Sequence, residues 1–214
     1  MTELTEGQHK AEFIVTEANG SLSRETVTVL SGQNLKPGHV LGKVTVGAAT
    51  GAAASGNTGN GTIGTVSAGS TAKQGVYQVT CIEPATDGGT FIVEDPEGTI
   101  IGRALVGAAF AGAVNFTIAD GGTDFAAGDR FLVTVATGSG KYKEYNPANT
   151  DGSQEAVALL LDFVDASGGD ISGAVIIARH AEVNAAELIW FSGADANQKA
   201  AGQAQLATQT IIAR

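Results

Sequence analysis

Through the middle of the chain, apolar and polar positions alternate with a period of two. "GVYQVTCIE" places Tyr77, Val79 and Cys81 on one face of a strand and Gln78 and Thr80 on the other. "GTFIVED", "GTIIGRALV", "AVNFTIAD" and "DRFLVTVAT" follow as further strand candidates. Between them lie "PATDGG", "DPEG" and "DGGTDFAAGD", each rich in turn-forming residues. About five to seven short strands in roughly 80 residues predict a small antiparallel sandwich or barrel over residues 62–140.

The flanks carry a different pattern. Phe13 to Val15 form a short apolar run ended by "EANG"; "TVTVL" at 26–30 alternates; "KPGHV" is a turn; and "LGKVTV" is strand-like again. After residue 140, "EAVALLLDFVDA" is a nearly continuous apolar run of strand length, and "GAVIIARHAEV" is another strand candidate. "ADANQKAAGQAQLAT" is the best helix, with Asp195 placed to cap it and Gly202 costing it about 1 kcal/mol relative to alanine. "QTIIAR" closes the chain as a short strand. The expected fold class is mainly β with one short α-helix.

Residues 47–61 are almost all Gly, Ala, Ser, Thr and Asn, the composition of a flexible linker. They run into "GNTGNGTIG", where Gly59, Gly61 and Gly64 spell GxGxxG. A dinucleotide-binding loop needs a buried strand before that motif and a helix after it. Small residues precede it here and β-branched alternation follows, so the motif reads as a hinge. "TGSG" at 137–140 reads as a second one. A module with hinges on both sides implies an insertion, with residues 1–46 and 141–214 forming one discontinuous domain. Insertions are tolerated at exposed loop tips when the guest's ends lie close together.

Of the 214 residues, 43% are hydrophobic and 16% charged, and 30 are glycine. That apolar excess implies surface covered by another chain. The net charge of -10, with only 12 Lys and Arg and no basic cluster, argues against nucleic-acid binding. No apolar run approaches the roughly 20 residues of a membrane span. "MTELTEGQHKAEF" lacks the basic start and apolar core of a signal peptide, so synthesis in the cytoplasm is expected.

Catalytic patterns are sparse. His9, His39 and His180 occur without HxxxH, HExxH or CxxC spacing, so no metal site is predicted from them. Cys81 is the single cysteine and reads as a buried structural thiol. Ser70 and Lys73 match SxxK, but the companion motifs of serine acylases are missing. His180 with Asp170 or Glu182 is the one arrangement a hydrolase would use. Asp120, Asp124 and Asp129 share the loop "DGGTDFAAGD", and "DFVDASGGD" is a second acidic loop. Neither has the alternate acidic positions and closing Glu of a calcium-binding EF-hand, so both read as solvated turns. No catalytic residue, cofactor or metal is predicted.

The flanking segments resemble a known family. "SGQNLKPGHVLGKVT", "YNPANTDG", the apolar "AVALLLDFVDA" and the pair "ARHAEVN" and "ELIW" look like the lambda-type head decoration proteins of tailed phages, over roughly 110–120 residues. The terminal "ANQKAAGQAQLATQTIIAR" is similar to that family's helix and closing strand. The resemblance implies a small clip-like β domain that assembles as a homotrimer on the major capsid protein, at the outer surface of the expanded phage head. There it would cement the shell against internal DNA pressure, without enzymatic chemistry. It also implies a capsid-binding arm over residues 1–20, with Phe13, Ile14 and Val15 as its apolar anchors adding a strand to a neighbour. The insertion departs from the compact family pattern. It reads as an immunoglobulin-like ornament over 62–140 with Phe91, Phe116, Phe125 and Phe131 in its core. The alternative function is a virion-surface module that recognises host-surface carbohydrate through residues 62–140.

Overall fold

The computed structural model describes residues 7–214, which divide into two compact units. One takes the described residues up to Val44 together with Gly140–Arg214, and the other is Thr45–Ser139. The first unit opens with β1 (Ile14–Glu17), β2 (Arg24–Val29), β3 (Gln33–Leu35) and β4 (Val40–Lys43). The second contains β5 (Val46–Ala53), β6 (Thr62–Ile63), β7 (Ser67–Ala68), β8 (Gly75–Ala85) and β9 (Gly88–Glu94). It continues with β10 (Ile100–Leu105), β11 (Ala109–Phe110), β12 (Val114–Ala119) and β13 (Arg130–Thr137). The chain then returns to the first unit through β14 (Tyr142–Glu144), β15 (Ala158–Leu160), β16 (Val164–Ala166), β17 (Ile171–Ile177) and β18 (Ala181–Val183). A 3-10 turn at Ala185–Glu187, the helix α1 (Ala196–Thr208) and β19 (Ile211–Ala213) complete it. The fold is mainly β, with one α-helix among the described residues.

In the second unit, an antiparallel sheet of order β10-β9-β8-β13-β5 shares one core with a smaller sheet, β11-β12-β6, to which β7 adds beside β12. Alternation decides which side chains enter. Tyr77, Val79 and Cys81 point in from β8, Phe131, Val133 and Val135 from β13, and Val114, Phe116 and Ile118 from β12. Burial raises the pKa of the Cys81 thiol, which suits an inert core residue. Phe91, Phe125 and Phe131 meet ring to ring at centroid separations of 5.0–5.9 Å, the edge-on and tilted contacts that aromatic quadrupoles favour.

Residues 47–61 differ from the expected linker. Residues 47–53 belong to β5, which pairs with β13 from Val46 to Ala53, so the unit begins at Thr45 rather than residue 62. The small side chains allow close packing instead of mobility. A Cβ on Gly51 would stand 2.7 Å from Val66 Cγ2 and 2.8 Å from Ile63 Cγ2, well inside contact distance. "GNTGNGTIG" is likewise no hinge: a Cβ on Gly61 would lie 2.2 Å from Phe125 Cζ and 2.6 Å from the Ala119 carbonyl oxygen. The strands that enter and leave this unit, β5 and β13, are neighbours, and Gly138 N donates to Thr45 O across 2.9 Å. Its two ends therefore lie side by side.

The first unit is built on a closed five-stranded barrel of order β14-β2-β17-β15-β4. Leu41, Leu160 and Ile176 fill its interior with Val29 and Tyr142. Their sequence neighbours Val40, Leu159 and Ile177 face outward into a second core with Phe13, Tyr145, Val183, Leu206 and Ile211. Strands walled on both faces read as continuous apolar runs, which is why "AVALLL" shows no alternation. Two predicted strands are each broken in two. "AVALLLDFVDA" leaves the barrel after Leu160 and resumes as β16, paired with β3. "GAVIIARHAEV" breaks at His180, whose φ of 50° turns the chain between β17 and β18.

The outer core is covered by a small sheet of order β1-β18-β19 and by α1. Asp195 caps α1: its carboxylate accepts from Gln198 N at 2.8 Å, and the Gln198 side chain accepts from Asp195 N at 3.0 Å. Gly202 has a use that propensity hides. A Cβ there would stand 2.3 Å from Trp190 Cζ3, so glycine lets the indole lie directly on the helix.

Candidate functional site

The residues predicted as arm anchors separate in the structure. Phe13 is buried in the outer core of the first unit, and its carbonyl accepts from Asn184 N at 2.8 Å. In this chain the ring is enclosed by the first unit's own residues. Ile14 is half-buried opposite Val183, while Val15 is 58% exposed at an irregularity in the β1–β18 register. Strand β1 forms one edge of its sheet, so its outer backbone groups lack a strand partner within that sheet.

Just upstream, the chain is also tied down. Ala11 N donates to Leu161 O at 3.2 Å, and Lys10 pairs with Asp162 at 2.5 Å. Downstream, Arg24 grips Glu17 with both Nε and Nη2, and this hydrogen bonding holds the Glu17 carboxyl below its ordinary range against a smaller opposing effect of burial. Thr16 Oγ1 donates to Glu182 at 3.3 Å, and Glu182 is paired with Arg214 at 2.7 Å. Of the predicted arm over residues 1–20, therefore, Lys10 to Glu17 are docked on the first unit, and residues 1–6 lie outside the described residues.

Beside Lys10 runs a groove of about 270 Å³, lined by Asp162, Phe163, Val164 and Ile171 to Val175. Phe163 is 55% exposed at its rim and Ile171 40%. The sequence offered no signal for this, because Phe163 sits within the apolar run "AVALLLDFVDA", whose leucines and Val164 are buried.

The residues singled out for chemistry are dispersed. His180 Nδ1 lies 2.8 Å from Thr210 Oγ1, Glu182 is committed to Arg214, and Asp170 accepts from Ser31 N and pairs with Lys141. His39 is buried; desolvation lowers its pKa, and Nδ1 faces the Lys36 backbone at 2.8–2.9 Å. Lys73 pairs with Asp95 at 3.0 Å and with Glu97. In the second acidic loop, Asp162 holds Lys10, and Asp165 accepts from Ser167 N at 3.0 Å. Asp129, read from sequence as solvated, is buried and accepts from Thr58 N, Gly59 N and Ala126 N at 2.8–2.9 Å. Burial pushes its carboxyl up, but those three amides outweigh it and leave it below the ordinary range.

Comparison with known proteins adds the family. The model described as "Bacteriophage lambda head decoration protein D" matches residues 3–211. No curated protein sequence matches the chain. Among solved structures, FlgL from Xanthomonas campestris is 21% identical with a TM-score of 0.34, over 50% of this chain and 34% of its own. The hook junction protein FlgK from Burkholderia pseudomallei is 21% identical with a TM-score of 0.32, over 61% of this chain and 23% of its own. The chain thus spans about a third of the one and a quarter of the other.

Proposed function

The chain belongs to the phage lambda head decoration protein family, and from that premise we propose that it binds as a trimer to the outside of the expanded capsid and stabilises it. The observation that carries this reading is a family match running from residue 3 through β19's first residue, Ile211. The family is one of structural phage proteins with a place on the virion capsid. Within this reading, a decoration protein that binds only the expanded lattice stabilises that state by mass action. Three linked contacts per trimer raise the overall affinity through effective concentration, so each contact can be weak.

The arm in this proposal is shorter than residues 1–20. Its root is Phe13, sunk in the outer core, and its reach lies upstream of Lys10. The exposed edge of β1 with Val15, and the groove rimmed by Phe163, are the surfaces of the first unit available to a capsid subunit. Co-sedimentation with undecorated shells tests the reading. The full chain is expected to pellet with expanded shells and not with unexpanded ones, and light scattering is expected to give the mass of three chains. A chain lacking residues 1–8 keeps Phe13 and β1, and its affinity is expected to fall at least tenfold. Equal binding to both shells, or none to either, overturns the function; full binding by the truncated chain overturns the arm.

A further inference from the structure

Three carboxylates from two loops of the second unit converge on one point. Asp87 lies in the β8–β9 turn, and Asp120 and Asp124 lie in the β12–β13 loop. One ligand oxygen from each falls within 4.8 Å of the other two. The grouping differs from the one suggested by spacing, because Asp129 is saturated by backbone amides and Asp87 takes its place. Among the described residues, none of the three forms an ion pair with Lys, Arg or His. Three like charges at this separation repel one another.

A second observation is independent of the clustering. Asp120 Oδ1 has less than 1 Å² exposed to solvent and no hydrogen-bond partner. A carboxylate oxygen withdrawn from water and given no donor is costly, and such a group calls for a partner. The surrounding loop is already held in place. Asn60 Oδ1 accepts from Thr123 N at 2.9 Å, Asp129 fixes Ala126, and Asp124 Oδ1 accepts from Asp87 N at 3.1 Å.

We propose that Asp87, Asp120 and Asp124 form a divalent-cation site whose ion is calcium. The donors are all hard oxygens, which excludes the softer preferences of zinc or copper. They come from irregular loops, which suits the flexible geometry of calcium better than the strict octahedron of magnesium. Water and carbonyl oxygens complete the six to eight ligands that calcium takes. The ion ties the β8–β9 turn of the larger sheet to the loop that leaves β12 of the smaller one.

The test uses the full chain, stripped with chelator and titrated with calcium chloride in a calorimeter. One ion per chain is expected, with a dissociation constant of about 10⁻⁴–10⁻³ M, the range of extracellular modules. Differential scanning calorimetry is expected to show calcium raising the second unit's transition. Asp87→Asn and Asp120→Asn are each expected to weaken binding at least tenfold. Without calcium, each is also expected to unfold at a higher temperature than the stripped wild type, because a repelling charge is gone. Asp162→Asn, in the first unit, leaves binding unchanged. Magnesium is expected to bind at least tenfold more weakly. The proposal is overturned if the wild type takes up no calcium by about 10 mM, some tenfold above the weakest affinity of that range, or if uptake survives both substitutions. Equal affinity for magnesium overturns the assignment of calcium.

Discussion

Strand β13 of the second unit and strand β15 of the first are both apolar, yet they bury their residues differently. In β13, Phe131, Val133 and Val135 enter a core while Thr134 is exposed. In β15, Ala158, Leu159 and Leu160 are all buried: Leu160 faces the barrel interior and Leu159 the outer core. A sheet with one covered face writes its orientation into the sequence as alternation; a wall between two cores does not. The contrast explains why the strands of the second unit can be read residue by residue, whereas those of the first merge into runs.

The comparison is most sharply tested at β15. Leu159→Ala and Leu160→Ala are each expected to destabilise the first unit by about 3 kcal/mol, as buried leucine truncations do. Urea unfolding followed by Trp190, the chain's only tryptophan, reads that unit. In β13 the same pair of neighbours is unequal: Val133→Ala is expected to cost about 2 kcal/mol and Thr134→Ala within about 0.5 kcal/mol. Hydrogen exchange of β8 and β13 amides measures these, and equal costs at Val133 and Thr134 would contradict the one-sided sheet.

An effect of similar size to that of Val133→Ala is expected at Asp129. Replacing it with Asn leaves buried amides poorly matched and lowers the second unit's stability by roughly 2–3 kcal/mol at pH 7. Because the folded carboxyl titrates below its unfolded value of about 3.9, its contribution is complete above that pH and is lost as pH falls through the folded value. The gap between wild type and Asp129→Asn should therefore close as the pH is lowered below about 4. A gap that is constant with pH would assign the loss to packing instead of charge.

Gly61→Ala is expected to be milder than Asp129→Asn, at about 1–2 kcal/mol from overpacking against Phe125. A hinge glycine would tolerate alanine without loss, so a neutral result by hydrogen exchange of β12 would restore the hinge reading and remove one difference between the units.

Several features were legible because they are local. Asp195 and Gln198 spell a helix start, and the turn-rich stretches between strands of the second unit mark its hairpins. The single thiol alternates with Tyr77 and Val79, so its burial could be read directly. The candidate site was less legible. Phe13 sits in a short apolar run that fits an exposed arm as well as a core, and only its packing against Val183 and Leu206's cluster distinguishes the two. Phe163 is hidden in an apolar run, and Asp87 joins Asp120 and Asp124 from a turn remote in sequence.

From its residues alone, the chain determined a mainly β fold, its helix, the strands β8, β9, β10, β12 and β13 of the second unit and its family resemblance, because hydrophobic period, turn chemistry and capping act over a few neighbouring residues. Tertiary structure decided what small residues are for. Gly51, Gly61 and Gly202 look like linker, hinge and helix defect in one dimension. In three, each is the gap that a side chain from another element fills, with Ile63, Phe125 and Trp190 respectively closing on them. A missing Cβ leaves no mark on local pattern; its meaning is set by whatever packs against it.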